Sequence, residues 1–183
     1  MKIGVISDLH GYPKKFDMAL EILKDCEVIL CAGDILYHGP RNPILEGYNP
    51  IELAEKINNS EIPVIIAKGN CDAEVDGMVL DVPVFSPVLF YEKDGLRIIV
   101  LHGHDFDEEK LKSIAKFYKA NLVITGHTHV RKYEKIDGVT YINPGSIGVP
   151  KGDGKPSCVK IEDGKIKFIN LEKGDVLEEY SLH

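Results

Sequence analysis

A chain of 183 residues that is 44% hydrophobic can bury one proper core and is short for two, so a single domain over 1–183 is expected. Its formal charge of −7, from 22 basic against 29 acidic residues, offers no general attraction to a polyanion, which argues against nucleic acid as a partner. No apolar run is long enough to span a bilayer and the start lacks the features of a secretory signal, so no membrane partner and a cytoplasmic location are expected.

The elements follow in chain order. "KIGVIS" (2–7) reads as a buried strand, and 13–25 as a helix opened by Pro13, with Phe16, Ala19, Leu20 and Leu23 at helical spacing. A second strand, "VILCA", is followed by an irregular Pro-rich stretch, "YHGPRNPILEGYNP" (37–50), which reads as a loop. Pro50, Ile51, Leu53, Ala54 and Ile57 then repeat the helical pattern, and "PVIIA" a strand. "RIIVL" and "LVIT" flank a helix carrying Leu111, Ile114, Ala115 and Tyr118 behind a possible cap at Asp107. "NPGSIGVPKGDGKPS" (143–157) reads as the second long loop. Continuous, β-branched runs suit strands covered on both faces, and their alternation with helices implies a largely parallel sheet. Asp94-Gly95, Asp137-Gly138 and Asp163-Gly164 between short apolar-alternating runs predict hairpins, and with them a second, more antiparallel sheet.

What stands after each buried run is the chemistry. Asp8 and His10 follow the first, Asp34 the second, Asn70 the third, His102 the fourth, and His127 with His129 the fifth. Ligands of open α/β sheets gather beyond the carboxyl ends of the strands, so these oxygen and nitrogen donors would meet there as a metal site. Seven ligands exceed what one zinc ion takes and can fill the shells of two divalent ions if one carboxylate, Asp34, bridges. Glycines before Asp34, Asn70 and His127 allow a tight approach.

The series "DLH", "GD", "GNCD", "HGH" and "GHTH" between 8 and 129, extended by "NPGS" at 143–146, resembles the signature of calcineurin-like metallophosphoesterases. "GNCD" and the loop "HGPRNPILEGYNP" are similar to those of YfcE-type bacterial phosphodiesterases, and that likeness covers nearly the whole chain. The resemblance implies an α/β fold, a four-layer αββα sandwich with two mixed β-sheets flanked by helices. It implies that Asp8, His10 and His129 hold one ion, that Asn70, His102 and His127 hold the other, and that Asp34 bridges. It also implies manganese as the usual ion, with nickel, iron or zinc as alternatives, and a homo-oligomer, dimer or tetramer. The activity the resemblance implies is hydrolysis of a small phosphodiester by a hydroxide that two such ions would generate from a bridging water. A phosphomonoesterase or nuclease on the same site, or a non-catalytic scaffold of the same fold, are the other readings.

Many relatives carry histidine where this chain has Cys71, the position thought to protonate the leaving group; His104, two residues beyond His102, is the nearest substitute in sequence. Asn70, not Cys71, is expected to be the functional member of "GNCD", because a cysteine nucleophile needs a cradle of backbone donors and an arginine that this motif does not supply. Asp72 is expected to orient a neighbour. His38 and Arg41, in the first long loop, are expected to contact the substrate phosphate. The four cysteines, Cys26, Cys31, Cys71 and Cys158, lack CxxC spacing and are expected to be reduced. His183 is expected to be solvated.

Overall fold

The computed structural model describes residues 1–85 and 87–182; the expectation for His183 lies outside them. In chain order, β1 (Lys2–Ile6), α1 (Pro13–Leu23), β2 (Val28–Cys31), α2 (Pro50–Asn58), β3 (Val64–Ala67) and β4 (Val84–Phe85) lay four parallel strands side by side. A second sheet follows from β5 (Val88–Lys93), β6 (Leu96–Leu101), α3 (Glu108–Tyr118), β7 (Leu122–Ile124), β8 (Arg131–Ile136) and β9 (Val139–Pro144). The chain then returns to the first sheet as β10 (Ser157–Glu162), β11 (Lys165–Asn170) and β12 (Val176–Ser181). The strand orders are β12-β11-β10-β1-β2-β3-β4 and β5-β6-β7-β9-β8.

Each layer follows from the strand period of two. In β1 and β2, Ile3, Val5, Val28 and Leu30 face the other sheet, where they meet Ile98, Val100, Leu122, Ile124 and Ile142. Their neighbours Ile6, Ile29 and Cys31 face outward and are covered by Phe16, Ala19 and Leu23 of α1 and Leu53, Ala54 and Ile57 of α2. On the far side, Ile99, Leu101, Val123 and Tyr141 pack under Ala115, Leu111 and Ile114 of α3. This is an αββα sandwich of two mixed sheets, and it explains the unbroken apolar runs: every inner strand is roofed on both faces. Local chemistry agrees with each helix start. Pro13 and Pro50 stand in the first turns of α1 and α2, Asn49 accepts from the Glu52 N–H at 3.2 Å, and Asp107 accepts from the Lys110 N–H at 2.8 Å.

The three Asp-Gly pairs turn with positive φ at both residues, 50–52° at aspartate and 71–80° at glycine. They do not, however, segregate into one antiparallel sheet. The Asp163-Gly164 hairpin pairs β10 with β1 and so extends the first sheet, while β6, β7 and β9 form a parallel centre in the second. The turn chemistry dictates a hairpin, whereas the sheet it joins is set by which edge is open. The second long loop is also shorter than its composition suggests, since Asn143 and Pro144 end β9 and Ser157 opens β10.

Candidate metal centre

All five strand ends deliver their donors to one place. Asp8 Oδ1 lies 3.2 Å from His129 Nε2 and 3.7 Å from His10 Nε2. Asp34 Oδ2 lies 3.2 Å from His102 Nε2 and 3.7 Å from His10 Nε2, so one oxygen sits between two groups of donors. His127 Nδ1 stands 2.9 Å from Asn70 Oδ1, and the His127 ring centre is 5.2 Å from that of His102. Asp8, His10, Asp34, His102 and His129 are all buried.

Histidine orientation is fixed by the main chain. His10, His102 and His129 each donate Nδ1–H to a carbonyl oxygen, of Tyr37 at 2.8 Å, Ala32 at 2.7 Å and Val149 at 2.7 Å, which turns each Nε2 lone pair toward the carboxylates. The carboxylates are split in the same manner. Ser7 Oγ (2.5 Å) and the His127 N–H (3.2 Å) donate to Asp8 Oδ2, and the Cys71 N–H donates to Asp34 Oδ1 at 2.8 Å. What remains facing the centre is Asp8 Oδ1, Asp34 Oδ2 and the imidazole nitrogens. Asp8 Oδ1 and His102 Nε2 are buried there with no hydrogen-bond partner. Leaving such atoms orphaned costs about 1–3 kcal/mol each, and a cation removes that cost. Oxygen and imidazole donors in this density fit divalent ions.

Five of these residues hold left-handed backbone: Asp8 (φ 55°), His10 (49°), Asp34 (58°), His127 (67°) and His129 (60°). Aspartate and histidine are among the side chains that tolerate this region, at a cost of order 1 kcal/mol each. Two glycines make room. A Cβ at Gly69 would run into Asp34 Oδ1, and one at Gly126 into Ser7 Oγ and Asp8 Oδ2. Asp72 serves the same turns by accepting the N–H groups of Asp34 (2.9 Å), Ile35 (2.7 Å) and Gly69 (2.7 Å).

Electrostatics follow from this packing. Burial opposes ionisation of Asp8, but the adjacent imidazoles of His10, His129 and His102 outweigh it and hold the carboxyl below its ordinary range. Burial likewise opposes the charged form of His102, and the adjacent carboxylates of Asp34 and Asp8 lift it to about 9. Burial, then the Asp34 carboxylate, pushes the Cys71 thiol up to about 12.

Above the donors opens a cleft of about 440 Å³ lined by Arg41, Asn70, Cys71, His127, His129 and Lys151, among others. The structure thus brings Arg41 to the cleft but not His38, which is not a lining residue: its ring packs edge-on against Tyr37 and Tyr48 at 4.6 and 5.5 Å. His104 is also outside the lining. It lies 5.5 Å from the His102 ring and 6.0 Å from that of His127, with Nε2 3.0 Å from Asp105 Oδ2. Sequence reasoning missed Lys151 on the cleft wall, and it missed the work of "NPGS". Asn143 Nδ2 donates to the Gly126 carbonyl (2.6 Å) and Thr128 Oγ1 (3.1 Å), and Ser146 Oγ donates to the Asp8 carbonyl (2.7 Å). That segment clamps two of the donor turns together.

Comparison with known proteins agrees with this geometry. Residues 1–163 match the calcineurin-like phosphoesterase superfamily domain. Phosphodiesterase YfcE of Escherichia coli (strain K12) is 31% identical over 185 residues, spanning 100% of this chain and 99% of that one. The solved structure of E. coli YfcE, described as a phosphoesterase, superposes with a TM-score of 0.89 at 30% identity over 100% of both chains. Zinc-complexed Vps29 of Entamoeba histolytica, 22% identical with a TM-score of 0.69 over 100% of both chains, shares the fold.

Proposed function

The chain belongs to the calcineurin-like phosphoesterase superfamily, and on that premise we propose that it is a metal-dependent phosphodiesterase whose substrate is a small phosphodiester. The observation that carries the reading is the pair of buried, unpartnered ligand atoms, Asp8 Oδ1 and His102 Nε2, beneath an open cleft. Asp8, His10 and His129 would hold one divalent ion, Asn70, His102 and His127 a second, and Asp34 would serve both. Such a pair supplies Lewis-acid charge to the phosphate and lowers the pKa of water at neutral pH.

The chain's own groups do the rest. Carbonyls of Tyr37, Ala32 and Val149 hold three imidazoles in one tautomer, so no ligand must rotate during turnover. Arg41, on the cleft wall, has no carboxylate partner among the described residues and is placed to bind a phosphate oxygen bidentately. Cys71 keeps its proton at neutral pH and is not the nucleophile. His104, the substitute acid expected from sequence, lies outside the cleft lining with its ring 6.0 Å from that of His127, so direct proton donation to the leaving group would be weak and rates should rise steeply with leaving-group acidity.

A cleft of about 440 Å³ holds a molecule of nucleotide size, which with the acidic balance favours a small diester over a polymer. Manganese is the ion we propose, on the carboxylate and amide oxygens of Asp8, Asp34 and Asn70; the four imidazoles suit nickel, iron or zinc, and metal analysis separates these. A cytoplasmic location is supported by four free thiols; among the described residues no helix is long and apolar enough to cross a membrane. A homo-oligomer, dimer or tetramer, is supported by exposed Ile51, Val75 and Val79 around one shallow groove, and light scattering measures it. The deciding experiment is metal analysis of the purified protein followed by a panel of mono- and diesters with added manganese. Asp34→Asn should lose both ions and nearly all turnover; unchanged stoichiometry with full activity, or faster hydrolysis of aryl monoesters than of matched diesters, overturns the reading.

A further inference from the structure

The cleft carries more positive charge than a simple diester requires. Two divalent ions, less the carboxylates of Asp8 and Asp34 and the attacking hydroxide, would leave one positive charge, which the single negative charge of a diester already balances, and Arg41 and Lys151 add two more on the walls. Among the described residues, thirteen of the 22 cationic side chains stand in ion pairs with carboxylates, and neither Arg41 nor Lys151 does.

Nor is Lys151 carried on loose chain. Its N–H donates to the carbonyl of His129 at 3.0 Å, and its own carbonyl accepts from Gly154 at 3.2 Å, so the residue begins a closed turn fastened to a donor loop of the metal centre. The turn bearing Arg41 is fastened likewise: the Asn42 N–H donates to Gly39 O (3.3 Å) and Asn42 Nδ2 to His38 O (2.8 Å). Two preset, unpaired cations bordering one cleft form a receptor for negative charge beyond the scissile phosphate.

We infer that Lys151 is a specificity-determining residue that binds a second anionic group, a phosphate or carboxylate, on one ester arm of the substrate. The inference rests on the phosphodiesterase reading above. Lys151 then contributes to choosing among diesters, whereas Arg41 serves the phosphate that reacts.

The test uses the manganese-loaded enzyme and two diesters with the same leaving group, the p-nitrophenyl ester of thymidine 5′-phosphate and the same compound bearing a 3′-phosphate. Wild type should favour the bisphosphate in kcat/KM by about tenfold, chiefly through KM, the scale of one charge-assisted contact. Lys151→Met should bring that ratio near one and Lys151→Arg should restore it. A wild-type ratio of one, or a Lys151→Met variant that loses both substrates equally, overturns the assignment. Calorimetry with thymidine 3′,5′-bisphosphate gives a readout without turnover: Lys151→Met should weaken its binding about tenfold, and unchanged binding refutes the role. Failure of wild type to hydrolyse either diester would count against the phosphodiesterase reading, while the calorimetric comparison would still decide the lysine.

Discussion

Asp72→Ala separates the scaffold of the metal centre from its ligands. The Asp72 carboxylate is 6% exposed and accepts three backbone N–H groups, two on Oδ2 and one on Oδ1, at 2.7 to 2.9 Å. Burial pushes this carboxyl up, a cost that the donors from Ile35, Gly69 and Asp34 offset in part. Truncation leaves three donors without an acceptor where each orphan costs about 1–3 kcal/mol, and water entering the space left by the side chain recovers some of it. A loss of about 3–6 kcal/mol follows, a large share of the stability of an ordinary domain. For a chain of this length that lowers Tm by about 10–20 °C. The assay is thermal unfolding of the metal-free protein, with metal content and kcat/KM measured on the same preparation below Tm. Because two of the three donors are the N–H groups of Asp34 and of Gly69, which precedes Asn70, the proposed ions should be held more weakly as well. A Tm shift smaller than about 3 °C, or a destabilised variant that keeps both ions and full kcat/KM, refutes the claim that Asp72 sets these turns.

Cys71→Ser should retain most metal-dependent activity and the wild-type pH profile, since the thiol stays protonated below about 12; loss of turnover with both ions still bound would show a role for sulfur. Gly126→Ala drives a Cβ into Ser7 Oγ and Asp8 Oδ2, and should cost at least about 2 kcal/mol in unfolding free energy and release metal measured by mass spectrometry; a stable, fully loaded variant would contradict the packing. In the metal-free protein, His102 is raised from an unfolded value near 6.5 to about 9, so the stability it lends is full below about pH 6.5 and lost as pH rises toward 9. Asp8 is lowered, so its contribution is present above about pH 4 and lost on further acidification. Melting curves between pH 3 and 10 should show both flanks, and a metal-free Tm still rising from pH 6.5 to 9 would be inconsistent with the His102 environment.

Much of this site can be read before any coordinates are known, because a buried strand announces itself by an unbroken apolar run and the donors stand immediately after it. Ile6 to Asp8, Leu101 to His102 and Ile124 to His127 are separated by so few residues that their position is nearly fixed once the strand is. Asp-Gly turns are legible for a similar local reason. What depends on distant partners is not. Whether β10 and β11 extend the first sheet or the second depends on which edge β1 leaves open, and nothing in 157–170 states that. His38 reads as a cleft residue from its loop, yet Tyr37 and Tyr48 capture the ring. Lys151 sits in an anonymous "PKGDGK", and only the bond from its N–H to His129 O brings it to the cleft. Ser146 and Asn143 act through carbonyls of Asp8 and Gly126, more than a hundred residues and seventeen residues away, which no spacing rule reveals.

The left-handed backbone at Asp8, His10, Asp34, His127 and His129 also bears on how fast ions are taken up. A site whose ligands must first find an uncommon conformation would load at the rate of that search. Here the turns hold the uncommon conformation already, with three imidazoles locked by carbonyls, so little ordering is left to occur on arrival. Uptake is then governed by how readily each ion sheds its own water. Manganese, which exchanges water quickly, should enter far sooner than nickel, which exchanges it slowly, even where nickel is held more tightly at equilibrium. Which ion occupies the centre in a mixture thus becomes a question of elapsed time as well as of affinity.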